Sequence, residues 1–289
     1  MKNLIILGNG LAALIYAAYN IDKNVIIIGN KIGGQMSNEI SLGPRIIQSD
    51  NYTKNFIKNF LLLDDVKIKK TFIKYKYNDK FLKNPTPEFR NKYSIITRDK
   101  DTASDYTMSQ NKNEIEYFDI KYNIFINILY QKLLTYNNIQ FINGDIIKIT
   151  SDYVELKDSR KIYTKNSEKV NTIPLYIFKK LINMDYLELN SKPVYFYYKK
   201  NKKFVNNFYY VYQVNDFKVV PHRITYYDDN IIEESIKKIS DNYIAIIPKI
   251  INETPFDSIG DWKMFGRFAE WDQSIKINEM LKKLENSND

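Results

Sequence analysis

The stretch "LIILGNGLAALIYAAYN", residues 4–20, decides the fold. A short apolar run meets Gly8, Asn9 and Gly10, then becomes an alanine-rich helix. Periodicity predicts a strand over residues 3–8 and a helix over 11–20. "NVIIIG" (24–29) reads as a second strand of the fully buried, parallel kind, which makes a βαβ start. Within Gly8-x-Gly10-x-x-Ala13, Gly8 permits the tight turn out of the strand. Gly10 lets backbone approach a pyrophosphate, and Ala13 is small enough for the helix to pack on the sheet. The start of the helix offers free N–H groups and a partial positive charge to the phosphates. The spacing predicts a dinucleotide site. An acidic residue usually ends the second strand and takes the ribose hydroxyls. Here the chain reads Gly29-Asn30-Lys31, so Asn30 is the candidate ribose partner, without the charge.

The rest of the chain reads as α/β pieces at its start, middle and end. Residues 52–63 have helical spacing, and 66–77 alternate as a half-exposed strand with a lysine face. Residues 84–113 contain Pro85 and Pro87 and read as loop with a short helix. Residues 118–136 read as a helix, 139–144 as a strand, and "DIIKIT" with "YVELKD" as a hairpin. Residues 168–174 form a strand ending at a proline. Residues 193–226 alternate and are dense in tyrosine, which suggests an antiparallel sheet roofing a pocket. A helix over 230–239, a strand over 243–248 and an amphipathic helix over 270–285 complete the reading. The expected organisation is a nucleotide-binding domain from 1–50, 140–178 and 250–289, with a substrate domain from 51–139 and 179–249 inserted into it.

Composition narrows the function classes. With 44% hydrophobic residues in 289, the chain can bury a substantial core. It has no cysteine, which excludes disulfides, thiolate metal sites and cysteine nucleophiles and fits a cytoplasmic protein. A single histidine, His222, excludes a histidine-rich metal site, and no metal site is expected. No apolar run reaches the roughly 20 residues of a membrane span. A secretory leader is not expected. The net charge of +9 permits a nucleic-acid partner, but nothing beyond the charge supports one. Lys, Asn, Ile and Tyr all have A/T-rich codons, so a biased viral or microbial genome supplies the excess lysine and a basic solvated surface.

"KIGGQM" (31–36) follows the second strand, and its two glycines let backbone pass close to a second phosphate or a ribityl chain. From here the chain resembles a family. The N-terminal segment with Gly33-Gly34-Gln35-Met36 resembles FAD-dependent amine oxidases. "LGPRIIQSDNYTKNFIKNF" (42–60) resembles UDP-galactopyranose mutase, in which a Gly-Pro-His run borders the flavin and leads into a helix. "EKVNTIPL" (168–175), with Thr172, is similar to the Thr-x-Pro strand end of this flavoprotein group. "MFGRFAEWDQSIKINEML" (264–281) resembles its C-terminal Gly-Arg segment and helix.

The resemblance implies FAD as cofactor and a Rossmann-like FAD/NAD(P)-binding domain with an inserted substrate domain containing an antiparallel sheet. It places Gly8, Gly10, Leu11 and Ala12 at the pyrophosphate, and Gly33, Gly34, Gln35 and Met36 along the ribityl chain. It presents Ile146 or Ile147 backbone to the adenine, with Thr172 at the neighbouring strand end. Pro44 and Arg45 border the flavin, while Gly266 and Arg267 pass it and lead through Gln273 and Ser274 into the last helix. Arg45 and Gln48 stand where the mutases have histidines. The substituted cation, Arg45, is a candidate for holding an anionic small-molecule substrate or tuning the flavin. His222-Arg223 resembles a substrate-side pair of the same group, where a histidine can act as acid or base. Tyr209, Tyr210 and Tyr212 are candidates for an aromatic cage or for sheet core. Three functions follow: an amine-oxidase-type oxidoreductase on a small amine or alcohol, a sugar-nucleotide isomerase, or a flavoprotein fold kept for binding.

Overall fold

A computed structural model of the chain describes residues 3–34, 46–98, 113–186, 189–251, 255–272 and 274–288. It begins with β1 (Asn3–Leu7), α1 (Leu11–Ala18), β2 (Asn24–Gly29) and β3 (Ile47–Gln48). Then come α2 (Asn51–Asn55), running into a π-helical turn (Phe56–Phe60), β4 (Ile68–Tyr77), β5 (Lys80–Leu82) and α3 (Pro87–Arg98). The middle holds β6 (Glu114–Phe118), α4 (Tyr122–Leu134), β7 (Ile139–Asn143), β8 (Ile146–Ile149), β9 (Tyr153–Leu156) and β10 (Lys161–Tyr163). After β11 (Glu168–Asn171) and α5 (Leu175–Leu181) come β12 (Ser191–Val214), β13 (Arg223–Ser235) and β14 (Ala245–Ile250). The chain closes with β15 (Ser258–Ile259), β16 (Trp262–Met264) and α6 (Ile277–Asn288).

One sheet has the order β15-β16-β11-β1-β2-β7. Every pairing in it is parallel except the β15–β16 hairpin. Alternate residues of β1 and β2 enter different cores. Leu4, Ile6, Val25 and Ile27 pack with apolar residues of α1, α4 and α6. Ile5, Leu7 and Ile28 pack instead with Val154, Leu156, Leu175 and Phe178, which come from β9 and α5. Both faces are therefore dry, which is why these strands read as unbroken apolar runs rather than alternating ones. The β8–β10 meander forms its own three-stranded sheet over the second face.

The second large sheet has the order β13-β12-β4-β6-β3, with β14 on β12 and β5 on β4. Its backbone is β12, 24 residues long. The first part of β12 pairs with β14, and its last part lies parallel to β4 from Tyr209↔Phe72 to Val214↔Tyr77. Tyr210 and Tyr212 are buried here against Tyr75, Phe89 and Tyr93, so they are sheet core. Tyr209 instead stacks on Tyr226 with Lys74 over its ring.

Several elements differ from the sequence reading. The helix expected over 230–239 is absent: β13 runs to Ser235 and pairs with Tyr195–Lys200. Ile231, Ile232, Ile236 and Ile239 mimic helical spacing, but β12 needs an edge partner, and Ile232 is buried against Val194 and Phe196. Helix α3 is 12 residues long and not short. Thr86 Oγ1 accepts from the Phe89 N–H at 3.2 Å, and Pro87 occupies the first helical position, where its missing N–H costs nothing. Residues 114–117, which lie between the expected loop and the expected helix, form β6 together with Phe118, and the expected hairpin gains a third strand, β10.

Candidate functional site

The site forms at the carboxyl ends of the parallel strands, where β1 lies between β2 and β11. Gly8 leaves β1 with φ +100°, and its N–H donates to Ile28 O at 2.7 Å. A Cβ on Gly8 would lie 2.5 Å from Thr172 Oγ1, so only glycine fits there. Thr172 hydroxyl donates to Leu7 O at 2.6 Å, which ties the end of β11 to the end of β1. Asn9 is buried; its side-chain amide donates to Gly29 O at 2.7 Å, and its carbonyl accepts from Gly33 N–H at 2.7 Å. Asn9 Oδ1 is a buried acceptor with no partner among the described residues.

Gly10 is the N-cap of α1 in extended conformation, with no side-chain cap and no acidic residue in the first turn. A Cβ on Gly10 would meet nothing within 4 Å among the described residues, which leave this face of the turn open. Gly10 forms a parallel bridge to Gly33, and a Cβ on Gly34 would lie 3.5 Å from Gly10 Cα. Gly266, at φ +96°, closes the other side; its Cβ would lie 2.7 Å from Ala12 Cβ. Five glycines from three distant stretches thus converge on one uncapped helix start, with Leu11 buried and Ala12 partly buried in its first turn. An uncapped helix start with a favourable dipole and no acidic residue in its first turn has the chemistry of an anion cradle.

Asn30 and Asp145 stand exposed at the rim beyond β2 and β7, and the Asn30 amide donates to the Asp145 carboxylate. Asp145 was not singled out in the sequence; its signal is the Gly-Asp pair that follows the strand ending at Asn143. Ile146 is partly buried in β8, and Ile147 is exposed at an irregularity of the β8–β9 register.

At the C-terminal segment, Gly266 N–H donates to Glu270 Oε1 at 2.9 Å. Glu270 is buried and also holds Lys283 of α6. That amide, expected at the flavin ring, is engaged inside its own turn. Arg267 donates from Nε to Ile275 O at 3.0 Å. Burial, with Arg223 and Arg98 adding repulsion, pulls the Arg267 guanidinium below its ordinary pKa. Ser274 is exposed, and both its N–H and its hydroxyl donate to Asp272 Oδ1. Gln35, Met36, Pro44, Arg45 and Gln273 lie outside the described residues. Tyr122 hydroxyl donates to Ile46 O at 3.3 Å, which ties the residue before β3 to the start of α4.

His222 and Arg223 sit at the start of β13. The Arg223 guanidinium grips Glu234 in two bonds, Nε to Oε1 at 2.7 Å and Nη2 to Oε2 at 2.5 Å. Burial opposes its charge, but the Glu234 carboxylate more than restores it and holds the pKa well above the usual value. His222 is buried with its ring edge-on to Tyr93 at 5.9 Å, and its Nδ1 has no partner among the described residues. Burial first, then Lys249 and Arg223, hold it well below the ordinary histidine pKa. The unfolded chain thus takes up a proton that the folded chain refuses. The stability this neutral ring contributes is present above about pH 6.5 and is lost as pH falls below it. The melting temperature should fall between about pH 7 and pH 5 in the wild type and less steeply in His222→Gln. Equal slopes in the two proteins would show that another group governs acid stability.

No helix among the described residues is long and apolar enough to cross a membrane, and no cluster of three His, Cys, Asp or Glu there is placed to hold a metal. No protein-family model matches the sequence, and no curated protein matches it. Solved structures do. Reduced UDP-galactopyranose mutase superposes with a TM-score of 0.67 at 9% identity, covering 100% of this chain and 94% of its own. BrvH, a flavin-dependent halogenase from Brevundimonas sp. BAL3, gives 0.55 at 9% identity over 99% of this chain and 70% of its own. L-proline dehydrogenase from P. horikoshii gives 0.53 at 12% identity over 99% and 94%. At such identities the likeness is one of architecture: this chain has the Rossmann-type α/β fold of these flavoproteins.

Proposed function

We propose that the chain binds FAD at the glycine cradle and is a flavin-dependent oxidoreductase of amine-oxidase type, acting on a small amine or alcohol. The observation that carries the reading is the open face of Gly10 at an uncapped helix start, ringed by Gly8, Gly33, Gly34 and Gly266. A diphosphate suits it because an anion needs donors without side chains in the way. The first-turn amides of α1 would hold the diphosphate, and Gly33–Gly34 would let the ribityl chain pass. Asn9 Oδ1, buried and partnerless, is an acceptor suited to a hydroxyl of the same molecule. FAD supplies a hydride acceptor when bound.

The chain's own residues supply orientation and charge. Arg267 follows Gly266 in the chain, and its buried guanidinium lies within the fields of Arg223 and Arg98. This positive region supports a substrate that carries a carboxylate or phosphate. Tyr93, Tyr210 and Tyr212 are buried in one core cluster, which supports a role in packing rather than in caging a ligand.

A second reading, a sugar-nucleotide isomerase, is favoured by the mutase match over nearly the full length of both chains. One experiment separates the readings. The purified protein is denatured and its supernatant examined for flavin absorbance, with FAD added if none is released. Bound or captured FAD supports both catalytic readings, and its absence after added FAD leaves a fold kept for binding alone. The loaded protein is then titrated anaerobically with amines and alcohols bearing an anionic group, and offered UDP-sugars without a reductant and with one. Bleaching by an amine or alcohol supports the oxidoreductase; turnover of a UDP-sugar with no net redox change replaces it with the isomerase.

A further inference from the structure

The ribose acid of a dinucleotide site ordinarily stands at the end of the second strand. Here that position is Asn30, which carries no charge. In the folded chain a carboxylate stands beside it, because the Asn30 side-chain amide donates to Asp145 Oδ1. Asp145 comes from another strand, just past the end of β7, 115 positions along the chain.

The backbone is built to deliver it. Gly144 N–H donates to Gly29 O at 3.3 Å, carrying the β2–β7 ladder one step beyond the strands. A Cβ on Gly144 would lie 2.8 Å from Leu156 Cδ1, so glycine is what lets this turn close down on β9. Lys157 N–H donates to Asp145 O at 2.9 Å, and Arg160 Nη2 donates to Asn143 O at 2.6 Å. Asp145 is thus pinned from both sides while its side chain stays exposed at the rim. The rim is the carboxyl edge of the same parallel sheet: Asn30 stands one strand over from the Gly8–Gly10 turn and Asp145 two strands over. Asn30 occupies only one carboxylate acceptor position, and a carboxylate has about four.

We propose that Asp145 is the ribose acid of this site, supplied by the turn after β7 in place of the end of β2. Asn30 orients the carboxylate, and Asp145 accepts hydrogen bonds from the 2′- and 3′-hydroxyls of an adenosine ribose. The same charge disfavours a 2′-phosphate, so the site takes FAD-type or NAD-type adenosine and not the NADP type. This rests on the FAD reading, and it concerns which atoms recognise the adenosine half.

The test measures FAD affinity by quenching of flavin fluorescence, with melting temperature recorded alongside. Charge-assisted hydrogen bonds are worth about 1.5–3 kcal/mol, so Asp145→Asn should weaken FAD by roughly 10-fold or more. Asp145 is exposed, so the variant should melt close to the wild type. A FAD analogue with 2′-deoxyadenosine provides a second measurement. The wild type should bind it several-fold less tightly than FAD, and Asp145→Asn should bind the two alike. Asp145→Asn with wild-type affinity for FAD overturns the proposal, as does equal discrimination against the deoxy analogue in both proteins. A lowered melting temperature with unchanged FAD affinity overturns it too, by making the Asn30–Asp145 pair a clasp between β2 and β7. If the wild type takes up no FAD at all, the cofactor reading itself falls, and this assignment with it.

Discussion

Gly10→Val should lose FAD and keep its stability, whereas Gly8→Ala should destabilise the fold. The two positions lie two residues apart in one turn, yet their surroundings are opposite. Gly10 has φ −76° and ψ 175°, a conformation open to any residue, and a Cβ there meets nothing within 4 Å among the described residues. Its cost to stability should stay within about 0.5 kcal/mol. The added methyl groups would occupy the open face through which phosphate oxygens reach the first-turn amides. Two or more charge-assisted bonds worth about 1.5–3 kcal/mol each are then lost, and FAD affinity should fall at least about 100-fold. Gly8 has φ +100°, and a Cβ there would lie 2.5 Å from Thr172 Oγ1 and 3.1 Å from Ile173 Cγ2. Backbone strain of about 1–3 kcal/mol and overpacking of similar size should combine to lower the melting temperature by roughly 10 °C. Flavin fluorescence and thermal melting on the same samples check both. Retention of FAD by Gly10→Val at normal affinity would place the cofactor elsewhere.

Arg223→Ala should be among the most destabilising changes in the second sheet. Glu234 is 2% exposed, and the Arg223 guanidinium engages both of its carboxylate oxygens. Removing the arginine leaves a buried carboxylate without its counter-charge, which costs about 3–5 kcal/mol. The double variant Arg223→Met with Glu234→Leu removes both charges and keeps the volume. It should regain most of the lost stability, because a buried pair is often matched by well-packed apolar residues. The pair also decides what Arg223 does. If the double variant folds and turns over a substrate at the wild-type rate, Arg223 is a structural arginine of β12 and β13. If it folds but loses an anionic substrate, Arg223 reaches into the site as well as holding Glu234. Chemical denaturation of the three proteins, followed by steady-state kinetics, gives both results.

Much of the six-stranded, mostly parallel sheet was legible in local sequence. The β1–α1–β2 unit shows itself because its strands are apolar beyond their first residue and its turn takes a φ of +100° at Gly8, which favours glycine. Those are constraints that one short segment carries by itself. The hairpin of β8 and β9, the strand β7 and the last helix are of the same kind. The second sheet was less legible. Residues 230–239 have isoleucines at helical spacing with Glu and Lys between them, and no local signal reports that β12 needs a partner there. Pairing over 24 residues of β12 outweighed a weak local preference, and Glu234 went inside because Arg223 was there to receive it.

The same division runs through the site. The glycines of the cradle were legible in the sequence, and four of them, Gly8, Gly33, Gly34 and Gly266, answer to a positive φ of their own backbone. The sequence also showed that the end of β2 lacks an acid. Only the tertiary structure decided that Gly266 closes against Ala12 and that Glu270 takes the Gly266 amide. It alone put Asp145 beside Asn30, since parallel strands bring together residues that are far apart in the chain. A turn is a local property of a few φ and ψ angles, whereas the neighbour of a strand end is set by which strand the sheet accepts next to it.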